Sequence, residues 1–246
     1  MSIGVEVIPE EEPGDDPHQA YYDEVGPERA LRIGGVLNAR DVGGLGGELG
    51  TVRTGLVLRA AALAQLTDEG AKTLADLGLK TVIDLRTPLE RLEQPDRIAG
   101  VPGLERVAEV HVEFLKTLYG LPSDSRDLYQ HLVDMSGDGI VEVLEYLARP
   151  DALPALVHCL VGKDRTGLFV ALLLELLGVP RDAILADYVA SNAGLGHVAH
   201  TMVQADVLTW TLRGLEDRYG STRGYLEAHG LTDETVSALR AALIEP

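Results

Sequence analysis

Cys159 and Arg165 are separated by five residues, Leu160, Val161, Gly162, Lys163 and Asp164, and are followed by Thr166 and Gly167. A cysteine acts as a nucleophile through its thiolate, and a thiolate forms readily only where positive charge is close. Arginine supplies a planar, two-pronged donor suited to phosphate oxygens. A loop this short can fold into a cradle whose backbone N–H groups point inward, and a helix behind it adds partial positive charge at its N-terminus. Cys159 would then lie at the floor of an anion site with its pKa well below the free value. The chemistry implied is attack of a thiolate on a bound phosphate ester. A lone cysteine is more often a small buried hydrophobe, but the position of this one, between His158 and a glycine-bearing loop, argues for the reactive role.

The elements that must hold such a loop are legible on both sides of it. Ala155 to Cys159 reads as a buried strand, and Leu168 to Leu177 is apolar nearly all round, as expected of a central helix beginning near Thr166. Leu31–Val36 and Gly55–Ala60 read as further strands, with the glycines at 43, 44, 46, 47 and 50 marking a tight loop between them. Thr67 caps a predicted helix to Leu77. Thr81–Arg86 is a compact, β-branched strand followed by Pro88; it carries Asp84 and Arg86 at its C-terminal end, where open α/β sheets place their ligands. Glu90–Arg97 reads as a charged, solvated helix, and Arg106–Phe114 alternates as a strand. Phe114–Asp138 reads as helical pieces broken by Gly120–Ser125, and Gly139–Arg149 as an amphipathic helix. Gly178 ends the central helix and Pro180 opens another, which carries Asp187, Tyr188, Ser191 and Asn192 and is read as a packing element with an Asp–Tyr hydrogen bond. The last helix runs from Thr232 to Ile244.

His158-Cys159, five residues, then Arg165-Thr166-Gly167 resembles the signature of the cysteine-dependent protein tyrosine phosphatases. The fuller Gly162-Lys163-Asp164-Arg165-Thr166-Gly167 is similar to a narrower, atypical bacterial branch. Asn38-Ala39-Arg40-Asp41-Val42-Gly43-Gly44, Val82–Arg86, Asp187–Asn192 and Tyr219–Leu226 match that branch in order, so the resemblance spans roughly Leu31 to Leu243. It implies a cysteine-phosphatase-like α/β fold: a central, mostly parallel sheet of four or five strands flanked by helices, with a helical lid to which Tyr119, Tyr129 and His131 could belong. It also implies a two-step reaction through a cysteinyl-phosphate on Cys159. Arg165 and the loop residues Leu160, Val161, Gly162, Lys163, Thr166 and Gly167 would hold phosphate, and Arg40, Asp41 and Asp84 are candidates to line the site.

The general acid is not read from one motif. Many tyrosine phosphatases carry it on a Trp-Pro-Asp loop, but the only tryptophan here is Trp210, followed by Thr211. Asp164 is the first candidate, then Asp84, then Asp41. The substrate expected is a phosphotyrosine protein. A phosphoinositide or small phosphate monoester, drawn by Lys163, is the alternative; a phosphate-binding adaptor without turnover or a sulfur-transfer enzyme stands further off.

Composition narrows the partners. A net charge of −18 argues against nucleic acid and anionic membranes, and no apolar run approaches a bilayer span. One cysteine excludes a disulfide framework and a multi-cysteine metal site. His197 and His200 lack partners at ligand spacing, so neither metal nor cofactor is expected. Residues 1–29 are acidic and carry Pro9, Pro13, Pro17 and Pro27, the composition of a disordered tail ahead of one domain over residues 30–246. The opening residues lack the features of a signal peptide, so the expected location is cytoplasmic.

Overall fold

Val57–Ala60, Thr81–Asp84 and Ala155–His158 are mostly aliphatic and buried at every position, the pattern of strands covered on both faces. In the computed structural model, which describes residues 19–116, 119–195 and 202–246, they form the inner part of one five-stranded sheet. In chain order the elements are α1 (Gln19–Val25), β1 (Arg40–Asp41), β2 (Gly46–Gly47), β3 (Gly50–Val52), β4 (Val57–Ala60), α2 (Asp68–Asp76), β5 (Thr81–Asp84), α3 (Pro88–Glu93) and β6 (Ala108–His111). They continue with α4 (Ser125–Leu147), β7 (Ala155–His158), α5 (Asp164–Leu176), α6 (Arg181–Val189), α7 (Ser191–Leu195), α8 (Ala205–Tyr219), α9 (Thr222–Ala228), α10 (Asp233–Leu243) and β8 (Ile244–Glu245).

The main sheet has the order β1-β4-β7-β5-β6, parallel except for the antiparallel edge strand β1. Its register sets the site: Ala60 on β4 and Asp84 on β5 both lie opposite His158 at the end of β7. Three C-terminal strand ends are therefore level, and the chain leaving β7 enters the crevice they share. Alternate strand residues serve opposite faces. Val57, Ile83, Ala155 and Val157 join the core under α4 and α5, whereas Leu58, Ala60, Val82 and Leu156 join the core under α2. The result is helix, sheet and helix in three layers. A second small sheet, β2-β3-β8, ties the C-terminus to the glycine-rich hairpin.

Local chemistry explains the helix starts. Thr67 Oγ1 accepts from Gly70 N to begin α2. Thr87 and Glu90 form a reciprocal capping box with Pro88 inside α3. Four expectations from sequence are corrected. Leu31–Val36 is not a strand; the chain turns at Gly34 and Gly35 (φ 77°), and the edge position is taken by β1. The broken pieces expected after Phe114 are irregular chain at the described residues up to Asp124, followed by the single 23-residue helix α4. This helix passes through Gly137 and Gly139, whose bare backbones face the His229 ring and Val112. Glu90 is buried rather than solvated. Gln19–Val25, expected in the tail, is helical, and Tyr21 donates to the carbonyl of Ala39 at 2.9 Å. His197, His200 and residues 1–18 lie outside the described residues.

Candidate active site

The loop after β7 is held from outside by its carbonyls. His158 Nδ1 lies 3.0 Å from the carbonyl oxygen of Cys159. Ala62 N donates to Leu160 O at 3.0 Å. Asn38 Nδ2 donates to Val161 O at 3.2 Å and to Gly162 O at 3.1 Å, and Arg59 Nη2 donates to Gly162 O at 2.9 Å. Gly167 N donates to Lys163 O at 2.8 Å as α5 begins. In a planar trans peptide the N–H points opposite to the C=O. Five carbonyls anchored outward therefore turn the N–H groups of Leu160, Val161, Gly162, Lys163 and Asp164 to the opposite, concave side. The first turn of α5 adds the orphan N–H groups and positive end of a helix. Gly162 is required here: its φ is 68°, and a Cβ would collide with the Ala60 carbonyl.

Cys159 lies at the base of this loop, 2% exposed. Burial pushes its thiol up, but the Arg165 guanidinium and the hydroxyl and backbone N–H of Thr166 outweigh it, leaving the pKa below the ordinary value. The buried Thr166 hydroxyl has no oxygen or nitrogen partner among the described residues, so it is available to the sulfur. Arg165 is itself clamped: Nη1 and Nη2 donate to the two carboxylate oxygens of Glu90 at 2.7 and 2.6 Å. The opposite edge of the fork, Nε and the second Nη2 hydrogen, is the part that can take an oxyanion. Glu90 also accepts from the backbone N–H of Thr87, so the capping box of α3 and the aim of Arg165 share one side chain. Sequence reading missed Glu90, since nothing local separates a buried helix glutamate from the exposed ones beside it.

The three candidate acids have different surroundings. Asp164 Oδ1 accepts from Tyr129 Oη at 3.3 Å, and Tyr129 Oη in turn accepts from Tyr188 Oη at 2.6 Å. Its Oδ2 is 3.6 Å from Lys163 Nζ, and its side chain is 29% exposed beside the loop. Asp84 accepts from Arg86 Nε at 2.9 Å, Nη2 at 2.8 Å and backbone N at 2.9 Å. Burial opposes its charge, yet the Arg86 hydrogen bond leads the groups that hold it ionised below the usual range. Asp41 accepts from Gly43 N at 2.8 Å and Gly55 N at 2.5 Å, bracing the glycine-rich loop.

Arg40, expected to line the crevice, is fully buried behind it. Its Nε donates to Asp187 Oδ1 at 3.0 Å and its Nη1 to Asn38 Oδ1 at 2.6 Å. Arg29 and Arg59 also pair with Asp187, at 2.5 and 2.6 Å. The expected Asp–Tyr bond is replaced by one carboxylate facing three guanidiniums; Tyr188 instead donates to Tyr129. Burial opposes ionisation of Asp187, but Arg40, Arg59 and Arg29 hold its carboxyl far below the usual range. Burial, and then the charge of Arg40, pull Arg59 down to about 10. The sequence signal that could have exposed this cluster is Arg59 itself, a charge inside the apolar strand Val57–Ala60.

Asp84, Asp96 and His158 are the candidate metal-ligand set among the described residues, with donor atoms within 4.8 Å of one another. Arg86 already lies between the two carboxylates, 2.8 Å from Asp84 and 2.7 Å from Asp96, so the set reads as an ion-pair network. His158 Nδ1 faces a carbonyl and Nε2 lies 3.1 Å from Asp96 Oδ2, off the hydrogen-bond line. Burial and the charge of Arg86 oppose protonation, but Asp96 and Asp84 outweigh them and raise its pKa. The stability His158 contributes is then complete below about pH 6.5, the ordinary value, and is lost as pH rises through the higher folded value. Denaturation in a Cys159→Ser background, which removes the thiolate's own pH dependence, should show this decline. The further substitution His158→Gln should abolish it, and a decline that persists would assign it elsewhere.

The sequence profile of the tyrosine phosphatase family matches residues 31–245. A tyrosine-protein phosphatase of Nostoc commune is 27% identical over 215 residues, covering 76% of this chain and 73% of its own. The triple specificity protein phosphatase PtpB of Mycobacterium tuberculosis is 29% identical, covering 85% of this chain and 97% of its own.

Proposed function

The chain belongs to the tyrosine phosphatase family and is a phosphoric monoester hydrolase, and we propose that it removes phosphate from tyrosine in proteins by way of Cys159. The observation that carries the substrate class is the depth of the nucleophile. At 2% exposure Cys159 is recessed, suited to the long, rigid arm of an aryl phosphate rather than the short stem of phosphoserine. Among a phosphotyrosyl peptide, a phosphoseryl peptide, a phosphoinositide and small sugar or nucleotide phosphates, the first is expected to have the highest kcat/KM. A lead for any of the others would overturn the protein-phosphotyrosine reading while leaving the hydrolase intact.

In the first step the Cys159 thiolate attacks phosphorus as the phosphorus–aryl oxygen bond breaks. Arg165 and the loop amides hold the equatorial oxygens, whose charge develops in the transition state. Asp164 protonates the leaving phenolate. In the second step water attacks the cysteinyl-phosphate, Asp164 accepts its proton, and the sulfur leaves as a thiolate stabilised by the Thr166 hydroxyl. Asp164 is favoured because its side chain is 29% exposed beside the loop, whereas Asp84 and Asp41 are buried and held by Arg86 and by the Gly43 and Gly55 amides respectively. Among the described residues no helix is long and apolar enough to cross a bilayer.

Leaving-group dependence tests the acid. For Asp164→Asn, kcat should fall by about 100-fold with phenyl phosphate and far less with a nitrophenyl ester, whose phenolate needs no proton. Tyr129→Phe, which removes the donor that orients Asp164, should show the same trend more weakly and add nothing in the Asp164→Asn background. A uniform loss across esters would remove Asp164 from proton transfer.

A further inference from the structure

Three of the six contacts that hold the phosphate-loop carbonyls outward come from two side chains, Asn38 and Arg59. Both are buried, and both are fixed by other charges. Asn38 has φ 57°, a conformation that costs a non-glycine residue energy and persists only where surrounding contacts impose it. The contact that imposes it is Arg40 Nη1, which takes Asn38 Oδ1 at 2.6 Å and so turns the amide Nδ2 toward Val161 O and Gly162 O. Arg40 is held in turn by Asp187, through Nε at 3.0 Å and through the main-chain carbonyl at 2.7 Å. Arg59 bridges the same Asp187, at 2.6 Å, to Gly162 O, at 2.9 Å. Two routes thus run from one buried carboxylate on α6 to the same loop carbonyl.

We propose that Asn38 and Arg59 are positioning residues for phosphate transfer. By holding the carbonyls of Val161 and Gly162 outward they hold the N–H groups of Gly162 and Lys163 toward the phosphate, with Arg40 and Asp187 as their support. The arrangement also explains why a single carboxylate serves three guanidiniums. A second anion at this depth would compete with Val161 O and Gly162 O for the same donors. With Asp187 alone, Arg59 has a hydrogen left for the loop carbonyl of Gly162.

Asn38→Gly is the discriminating variant, because glycine adopts φ near 57° without strain and only the side chain is lost. Its kcat/KM for aryl phosphates and its affinity for vanadate should both fall by about 100-fold, the usual effect of misplacing an oxyanion donor. The loss should be the same for good and poor leaving groups, unlike that of Asp164→Asn. The pH midpoint for alkylation of Cys159 by iodoacetamide should rise by about one unit, since amides that stabilise the thiolate are no longer held in place. Arg59→Lys, which keeps the charge but cannot span Asp187 and Gly162 O with a rigid fork, should move the same readouts in the same direction.

Wild-type vanadate affinity and an unchanged alkylation midpoint in folded Asn38→Gly and Arg59→Lys would overturn the proposal. So would a loss that tracks melting temperature and disappears on cooling, because that marks a purely structural role. Vanadate affinity and the alkylation midpoint depend on neither Asp164 nor the protein-phosphotyrosine reading, so failure of either assignment leaves this test standing.

Discussion

Cys159→Ser is expected to lower aryl phosphate hydrolysis by about four orders of magnitude or more, while inorganic phosphate still binds. A hydroxyl lacks the low pKa that Arg165 and Thr166 give the thiol. The anion site itself does not use the sulfur as a donor; it rests on amides turned inward and on the Arg165 fork aimed by Glu90. Turnover by wild type should survive chelator and be inhibited by vanadate. Activity in the serine variant within tenfold of wild type, or activity that requires added metal, would sink the cysteinyl-phosphate route. If neither protein turned over any ester while phosphate bound and binding needed Arg165, an adaptor role would replace the enzymatic one.

Asp187→Asn should produce the largest loss of stability of any single polar substitution in this chain. The asparagine is close to isosteric, so packing is preserved and the effect is electrostatic. It leaves Arg29, Arg40 and Arg59 buried against one another without a counter-charge. Breaking a buried ion pair from one side costs about 3–5 kcal/mol, and at this chain length that corresponds to a melting temperature lower by about 10 °C. The effect should persist in high salt, since these groups are shielded from the solvent ions that weaken surface pairs. A melting temperature equal to that of the wild type would mean the three guanidiniums do not depend on Asp187. Exposed pairs such as Arg223–Glu227 make a useful contrast, because removing either partner should change stability by less than about 1 kcal/mol.

The chemistry of the phosphate loop was legible in the sequence because its parts are covalent neighbours. Cys159, Gly162, Arg165 and Thr166 lie within eight residues, and a strand, a tight turn and an apolar helix leave that stretch few ways to fold. The same holds for Thr67 and Thr232, whose caps are decided within one helical turn. The mostly parallel sheet was expected from the family resemblance, and the inner strands are parallel.

What holds the loop and aims its groups could not be read this way. Glu90 meets Arg165 across 75 positions, Asn38 meets Gly162 across 124, and Arg40 meets Asp187 across 147. Sequence offered the crevice wall for Arg40 and helix packing for Asp187, because each assignment is consistent with the residues on either side. Only the level register of β4, β5 and β7, and the packing of α6 against α5, brings those charges together. Residue type and local spacing determine which group can attack phosphorus. Which carboxylate balances which guanidinium is decided by burial: water is excluded, a lone charge becomes expensive, and each must find a partner that the chain delivers from far away.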